Sequence, residues 1–353
     1  MTVKPRPGRS LLLLAVLAVV SLFALACSSS DDDSESTDKS TTSTTAAEAS
    51  DAPSDADIEA LTAEIAGGGA SFPDSFYQAV NTDFNGIHGS EIVTYTKSGS
   101  TDGRTQLSSG TVDFAGSDSL PKDGETFPST VLFFPTVAAP ITVSYNLDGV
   151  DELQLSPDVI AGIFQAQITT WDDAKIAADN PDADLPSTAI AVVHRSDGSG
   201  TTNNFTKYVA AAAPDTWTLG SGDEVNWPAT TQGAEKNSGV AEVIKQTSGA
   251  IGYVDLADAG KAGLSLAKIQ NSSGDYIAPG AEGVQAALED ATIEPNLTYN
   301  PLNGSGPKDY PITAPTFLLV LDTQADAATA DSLKTYLRYV LTTGQEQASK
   351  TGY

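Results

Sequence analysis

The chain has 353 residues and a formal net charge of -28, from 46 Asp and Glu against 18 Lys and Arg. Its length favours two lobes once any targeting segment is set aside, and its charge makes nucleic acid a poor partner, because polyanions are repelled and no basic stripe with interleaved aromatics is present. The single cysteine, Cys27, excludes an intrachain disulfide and any metal site built on several thiolates.

Lys4, Arg6 and Arg9 precede an apolar run from Leu11 to Ala26, followed at once by Cys27 and a Ser/Asp stretch, which is the order of parts in a signal peptide. The run contains Ser21 and several alanines and falls short of the roughly 20 apolar residues a spanning helix needs. Ala24-Leu25-Ala26-Cys27 resembles the lipobox of bacterial lipoproteins, although leucine is commoner where Ala24 stands. The resemblance implies a lipoprotein signal peptide over 1–27, with Cys27 lipidated and tethering the chain to a lipid bilayer. Residues 28–64 then read as a disordered Ser/Thr/Asp-rich tether, too poor in large apolar side chains to fold. Asp31 to Asp33 read as solvated linker rather than a calcium site.

From Ile65 strand-like and helix-like runs alternate, the pattern of an α/β fold, whose chemistry gathers at strand ends. In GGGASFPDSFYQAVNTDF the glycines Gly67 to Gly69 precede Ser71, Phe72 and Pro73, and Phe72, Phe76, Val80 and Phe84 repeat every four residues. That spacing predicts an amphipathic helix beginning near Pro73, with glycines that let backbone approach a ligand and with first N–H groups that attract an anion. Taken alone, the same loop also reads as a mere helix start, and it lacks the Gly-Lys-Ser/Thr of a P-loop. A strand from about Ile92 to Thr96 leads into Ser98-Gly99-Ser100-Thr101, where Ser100 could donate to a bound oxygen or simply cap a helix. TVDFAGSDSLP predicts a strand whose carboxyl end carries Asp118.

AIAVVHRSDGSGTTNNFTKYV predicts a buried strand over Ile190 to Val193, a tight loop, and a helix from Thr201. Ser199, Gly200 and Thr201 would present hydroxyls and N–H groups at its N-terminus. Arg195 adds a fixed charge whose donors suit two phosphate oxygens at once, oriented by Asp197. An Arg–Asp pair closing a surface turn is the alternative. Only two histidines exist, His88 and His194, and without a Gly-x-Ser-x-Gly elbow a Ser-His-Asp triad has no support. No cluster of metal ligands stands out, so neither enzyme activity nor a cofactor is expected. Trp171, Trp217 and Trp227 read as core or wall residues, not sugar platforms.

The motifs GGGASFPDSFYQ, VDFAGSD, FPTVAAPITVSYN, ITTWDD, VVHRSDGSGTT, GAIGYVDLA and PITAPTFLLV, in that order, resemble the phosphate-binding proteins of Pst-type ABC transporters. The resemblance implies a two-lobed, periplasmic-binding-protein-like α/β fold, with lobe I formed by 65–146 plus 312–353, lobe II by 147–311, and a ligand cleft between them. It implies that inorganic phosphate contacts Ser71, Phe72, Ser100, Asp118, Arg195, Ser199, Gly200 and Thr201, with Asp197 behind Arg195. It further implies an extracytoplasmic lipoprotein, monomeric in the binding step, that hands phosphate to a membrane permease and its ATPase. Asp118 would accept the proton that phosphate still carries at neutral pH, and so would disfavour sulfate or molybdate, the nearest rival ligands. Asp102 and Arg104 depart from the family's small residues after the second-loop serine, and Arg104 is expected to offset Asp102. The chain also ends at Ser349-Lys350-Thr351-Gly352-Tyr353, short of the longer tail of many relatives.

Overall fold

The computed structural model describes residues 52–353; the signal segment, Cys27 and most of the expected tether lie outside the described residues. The tether reading fails at its far end. Asp55–Glu59 forms a short helix, α1, capped by Ser54, and Ile58 is buried with Phe84 and Tyr336. Ile58 and Leu61 supply the apolar surface that the preceding acidic stretch lacks.

The chain continues through β1 (Ile65–Gly69), α2 (Asp74–His88), β2 (Val93–Lys97), α3 (Ser100–Ser109), β3 (Phe114–Ser117) and the long β4 (Val131–Asn146). Then follow β5 (Gln154–Leu155), α4 (Pro157–Phe164), α5 (Ala174–Asp179), β6 (Ala191–Arg195), α6 (Gly200–Ala212), β7 (Gln232–Ala234), α7 (Lys236–Gln246) and β8 (Ala250–Asp255). The last elements are α8 (Leu256–Ala262), β9 (Ser265–Leu266), β10 (Lys268–Gln270), β11 (Tyr276–Ile277), α9 (Ala281–Glu289), β12 (Thr313–Leu321), α10 (Ala327–Leu341) and α11 (Ala348–Thr351).

Among the described residues the main sheet runs β2-β1-β3-β12-β4-β8-β6-β7, with β9 added to β4. Its two ends are parallel trios: β1 pairs in parallel with β2 and β3, and β6 with β7 and β8. β4 joins them. Its first part pairs antiparallel with β12 as far as Pro140 opposite Thr313, and from Ile141 it pairs with β8. At the exchange, the Ile141 N–H donates to the Ile312 carbonyl at 2.9 Å. Parallel strands buried on both faces must be covered by helices, and each trio has its own core. One gathers Phe76, Tyr77, Val80, Phe84 and Phe114 with Leu318 and Tyr336; the other gathers Val143, Tyr145, Ile160, Trp171, Phe205 and Tyr253. The four-residue repeat of Phe72, Phe76, Val80 and Phe84 is fully buried, as its period predicted. Trp171 and Trp217 are core residues, and Trp227 packs partly buried beside them.

Candidate functional site

Strand-to-helix turns at the carboxyl ends of β1, β2, β6 and β7, together with the end of β3, converge on one buried region, the place where open α/β sheets bind ligands. Gly200 shows how tightly they meet. A Cβ there would lie 2.5 Å from the Ser100 Oγ and 2.7 Å from the Asp118 Cβ, so no side chain fits between α3 and α6. The Thr101 N–H donates to the Gly198 carbonyl at 3.2 Å, and the Asn204 amide donates to the Asp118 carbonyl at 2.6 Å. Ser71, Phe72, Ser100, Asp118, Arg195, Ser199 and Thr201 are each at most 3% exposed.

The hydroxyls in this region share one property. Ser71 Oγ accepts from the Asn237 N–H at 3.3 Å, Ser100 Oγ from the Asp118 N–H at 3.2 Å, Ser199 Oγ from the Thr202 N–H at 3.1 Å, and Thr201 Oγ1 from the Asn237 side-chain amide at 3.2 Å. In each case the N–H occupies one lone pair of the hydroxyl oxygen, and the hydroxyl keeps its own proton to donate. The Ser100 hydroxyl donates to Asp118 Oδ2 at 3.5 Å, the outer limit of a hydrogen bond. The Ser199 N–H, by contrast, goes to the Asp223 carbonyl at 3.0 Å, so the expected backbone donor at that position is already engaged.

Arg195 supplies the charge. Its Nε and Nη2 donate to Asp197 Oδ1 and Oδ2 at 2.7 and 2.5 Å, and its Nη1 donates to Asn237 Oδ1 at 2.7 Å. Burial raises the Asp197 carboxyl, but the Arg195 guanidinium outweighs it and holds the group below the usual carboxylate range. Asp118 is held differently. Burial pushes its carboxyl from 3.8 up to about 7, against the Thr316 hydroxyl, which donates to Oδ1 at 2.7 Å, and the positive charge of Arg195. Asp118 therefore gains or loses a proton near neutrality.

Two readings are revised. The glycines of β1 mainly make room for protein: a Cβ at Gly67 would strike the Phe114 ring at 2.1 Å, and one at Gly69, where φ is 130°, would lie 2.3 Å from the Gly116 carbonyl oxygen. Arg104 does not offset Asp102, which is exposed and accepts from Gln106. It is instead buried, donating to both Glu125 oxygens at 2.8 and 2.9 Å and to Asp223 at 2.6 Å. Asp223 also accepts from the Thr101 hydroxyl at 2.8 Å, tying α3 to the segment after α6. At the C-terminus, Tyr353 packs edge-on to Phe72 and Phe76, and its hydroxyl donates to the Phe72 carbonyl.

Sequence reasoning missed Asn237, Asp255 and Thr316. Asp255 and Thr316 lie in GAIGYVDLA and PITAPTFLLV, segments that carried the resemblance but were given no site role, and Asn237 lies outside every quoted motif. His194 takes no part: its ring stacks on Trp227 at 4.9 Å between centroids, and burial lowers its proton affinity. Among the described residues no group of His, Cys, Asp and Glu could hold a metal ion.

One guanidinium, four buried hydroxyls and one titrating carboxyl are a donor set that suits an oxyanion carrying a proton. The comparisons agree. Residues 35–343 match the PBP superfamily domain. The chain is 34% identical over 296 residues to the phosphate-binding protein PstS of Xylella fastidiosa, covering 82% of this chain and 80% of that protein. It is 32% identical over 277 residues to phosphate-binding protein PstS 2 of Mycobacterium tuberculosis, covering 73% and 74%. The crystal structure of a phosphate-binding protein from Stenotrophomonas maltophilia superposes with a TM-score of 0.62 at 21% identity over 79% of this chain and 84% of that one, a likeness of fold. The chain belongs to the PBP superfamily and, within it, to the PstS phosphate-binding proteins.

Proposed function

We propose that this chain is the substrate-binding component of an ABC phosphate importer, a binding protein rather than an enzyme. It captures inorganic phosphate between lobe I, 65–146 plus 312–353, and lobe II, 147–311, with β4 and the entry to β12 as the crossing segments. The observation that carries this reading is the set of four buried hydroxyls, Ser71, Ser100, Ser199 and Thr201, gathered beside Arg195 and Asp118, each accepting an N–H and keeping its own proton to donate. Phosphate oxygens accept these hydrogen bonds together with the remaining N–H groups of Arg195 and the backbone around Phe72 and Gly200. The local donors outweigh the acidic surface because salt screens exposed charge over about 8 Å while buried contacts are screened far less.

Asp118 gives the selectivity. With one proton between Asp118 and the ligand, phosphate and the carboxyl form a hydrogen bond. Ionised Asp118 facing sulfate has no proton to share, leaving an unpaired buried acceptor beside a like charge. Rejection on the order of 10⁴ is within the range for sites that leave a polar group unpaired. The protein acts outside the cytoplasm, anchored through lipidated Cys27, and as a monomer it passes phosphate to the permease and its ATPase. Among the described residues no helix is long and apolar enough to cross a membrane.

The test is titration calorimetry of ligand-stripped protein, begun after Cys27, with phosphate and then sulfate at fixed salt. One-to-one phosphate binding with no sulfate heat at about pH 8 supports the assignment. Sulfate or molybdate binding instead would change the substrate, and no oxyanion binding would remove the function.

A further inference from the structure

The buried side chain with the most connections to the site belongs to none of the expected loops. Asn237, fully buried, is the second residue of α7 and carries both kinds of hydrogen-bonding group on one head. Its Oδ1 accepts from Arg195 Nη1 at 2.7 Å; its Nδ2 donates to Thr201 Oγ1 at 3.2 Å and to Asp255 Oδ2 at 2.8 Å; its backbone N–H donates to Ser71 Oγ at 3.3 Å. Three site residues from two loops thus meet one asparagine.

The amide can sit only one way round. Turned over, its NH₂ would face the guanidinium, donor against donor, and its oxygen would face the Asp255 carboxyl. Asp255 is itself held, because its Oδ1 accepts from the Asp258 N–H at 2.9 Å as the cap of α8. The backbone before Asn237 is fixed as well. Lys236 stands at φ 62°, a left-handed conformation that a lysine adopts only when its surroundings impose it. Its N–H donates to Asp197 Oδ1 at 3.1 Å.

We infer that Asn237 is a positioning residue for phosphate: held by Asp255, it fixes the plane of the Arg195 guanidinium and anchors the Ser71 and Thr201 hydroxyl oxygens by donating an N–H to each. Asp197 and Asn237 together engage three of the five guanidinium N–H groups, which leaves one on Nη1 and one on Nη2 to grip two ligand oxygens. Neither Asn237 nor Asp255 needs to touch the ligand. The inference rests on the phosphate reading of this site.

The experiment is a double-mutant cycle by phosphate calorimetry on ligand-stripped protein: parent, Asn237→Ala, Arg195→Lys and the double variant, with a melting curve for each. A lysine has no planar fork to orient. Asn237→Ala is expected to weaken phosphate binding about tenfold or more in the parent and much less in the Arg195→Lys background. In parallel, the guanidinium nitrogen signals of Arg195 in the NMR spectrum should be resolved in the parent and averaged in Asn237→Ala, a change that lost packing alone would not produce. If Asn237→Ala does not fold, Asn237→Gln, which displaces the same head by one methylene, carries the same expectation. Unchanged affinity, or an equal loss in both backgrounds with the Arg195 signals unaltered, overturns the assignment. A parent that binds no phosphate overturns the phosphate reading as well, which separates the two failures.

Discussion

Replacing Asp118 by asparagine should change how the stability of the ligand-free protein depends on pH. The carboxyl moves from 3.8 in the unfolded chain to about 7 in the fold, chiefly by burial. Between those values the folded state binds a proton that the unfolded state has released, so stability is lost as pH rises through this window and the full penalty is present above about 7. At 1.36 kcal/mol for each pH unit, the penalty is about 4 kcal/mol near pH 8 and about 2 kcal/mol near pH 5. An asparagine at this position cannot ionise, yet its oxygen can still accept from Thr316, so pH-independent differences cancel when the two conditions are compared. Urea unfolding of both proteins at the two pH values should therefore show Asp118→Asn gaining about 2–3 kcal/mol more, relative to the parent, at the higher pH. Parallel pH profiles for parent and variant would refute the reasoning, because Asp118 would then ionise in the fold as it does in water.

The same carboxyl should make sulfate rejection pH-dependent. As pH falls below about 7, Asp118 takes up a proton and can donate to sulfate, so calorimetric sulfate affinity should rise between about pH 8 and about pH 6 and be flat in Asp118→Asn. Gly200→Ala would drive a methyl into Ser100 and Asp118, an overpacking cost of about 1–3 kcal/mol, seen as a roughly ten- to hundredfold weaker phosphate dissociation constant. Asp223→Ala should lower urea stability by about 3 kcal/mol, because it leaves the buried Arg104 with Glu125 as its one remaining carboxylate partner, and a loss under about 1 kcal/mol would contradict the buried-pair reading.

The loops were legible because their signals are local. A glycine and a hydroxyl lie within a few residues of one another in Gly69–Pro73, Gly99–Thr101 and Gly198–Thr201, and each does begin a helix at a strand end. The strand ahead of Asp118 was likewise visible in its own residues. Asn237 and Thr316 were not, since a single amide or hydroxyl at a helix start or within a strand carries no periodicity, and its partners lie 42 and 198 residues away. The role of the β1 glycines stayed open for a related reason: sequence shows a missing side chain but not whether a ligand, Phe114 or Gly116 fills the space. Arg104 was paired with its neighbour Asp102, whereas its carboxylates come from Glu125 and Asp223 across the seam between the two strand groups. The tether ended early because two apolar side chains, Ile58 and Leu61, are enough to dock one turn of helix on an existing core.

The most direct measurement is a crystal structure of the protein grown with phosphate. The ion should lie fully enclosed, with its oxygens about 2.7–3.1 Å from the hydroxyls of Ser71, Ser100, Ser199 and Thr201 and from both terminal nitrogens of Arg195, and with one oxygen facing Asp118. Phosphate found elsewhere, or held at this place without Arg195 and Asp118, would contradict the assignment.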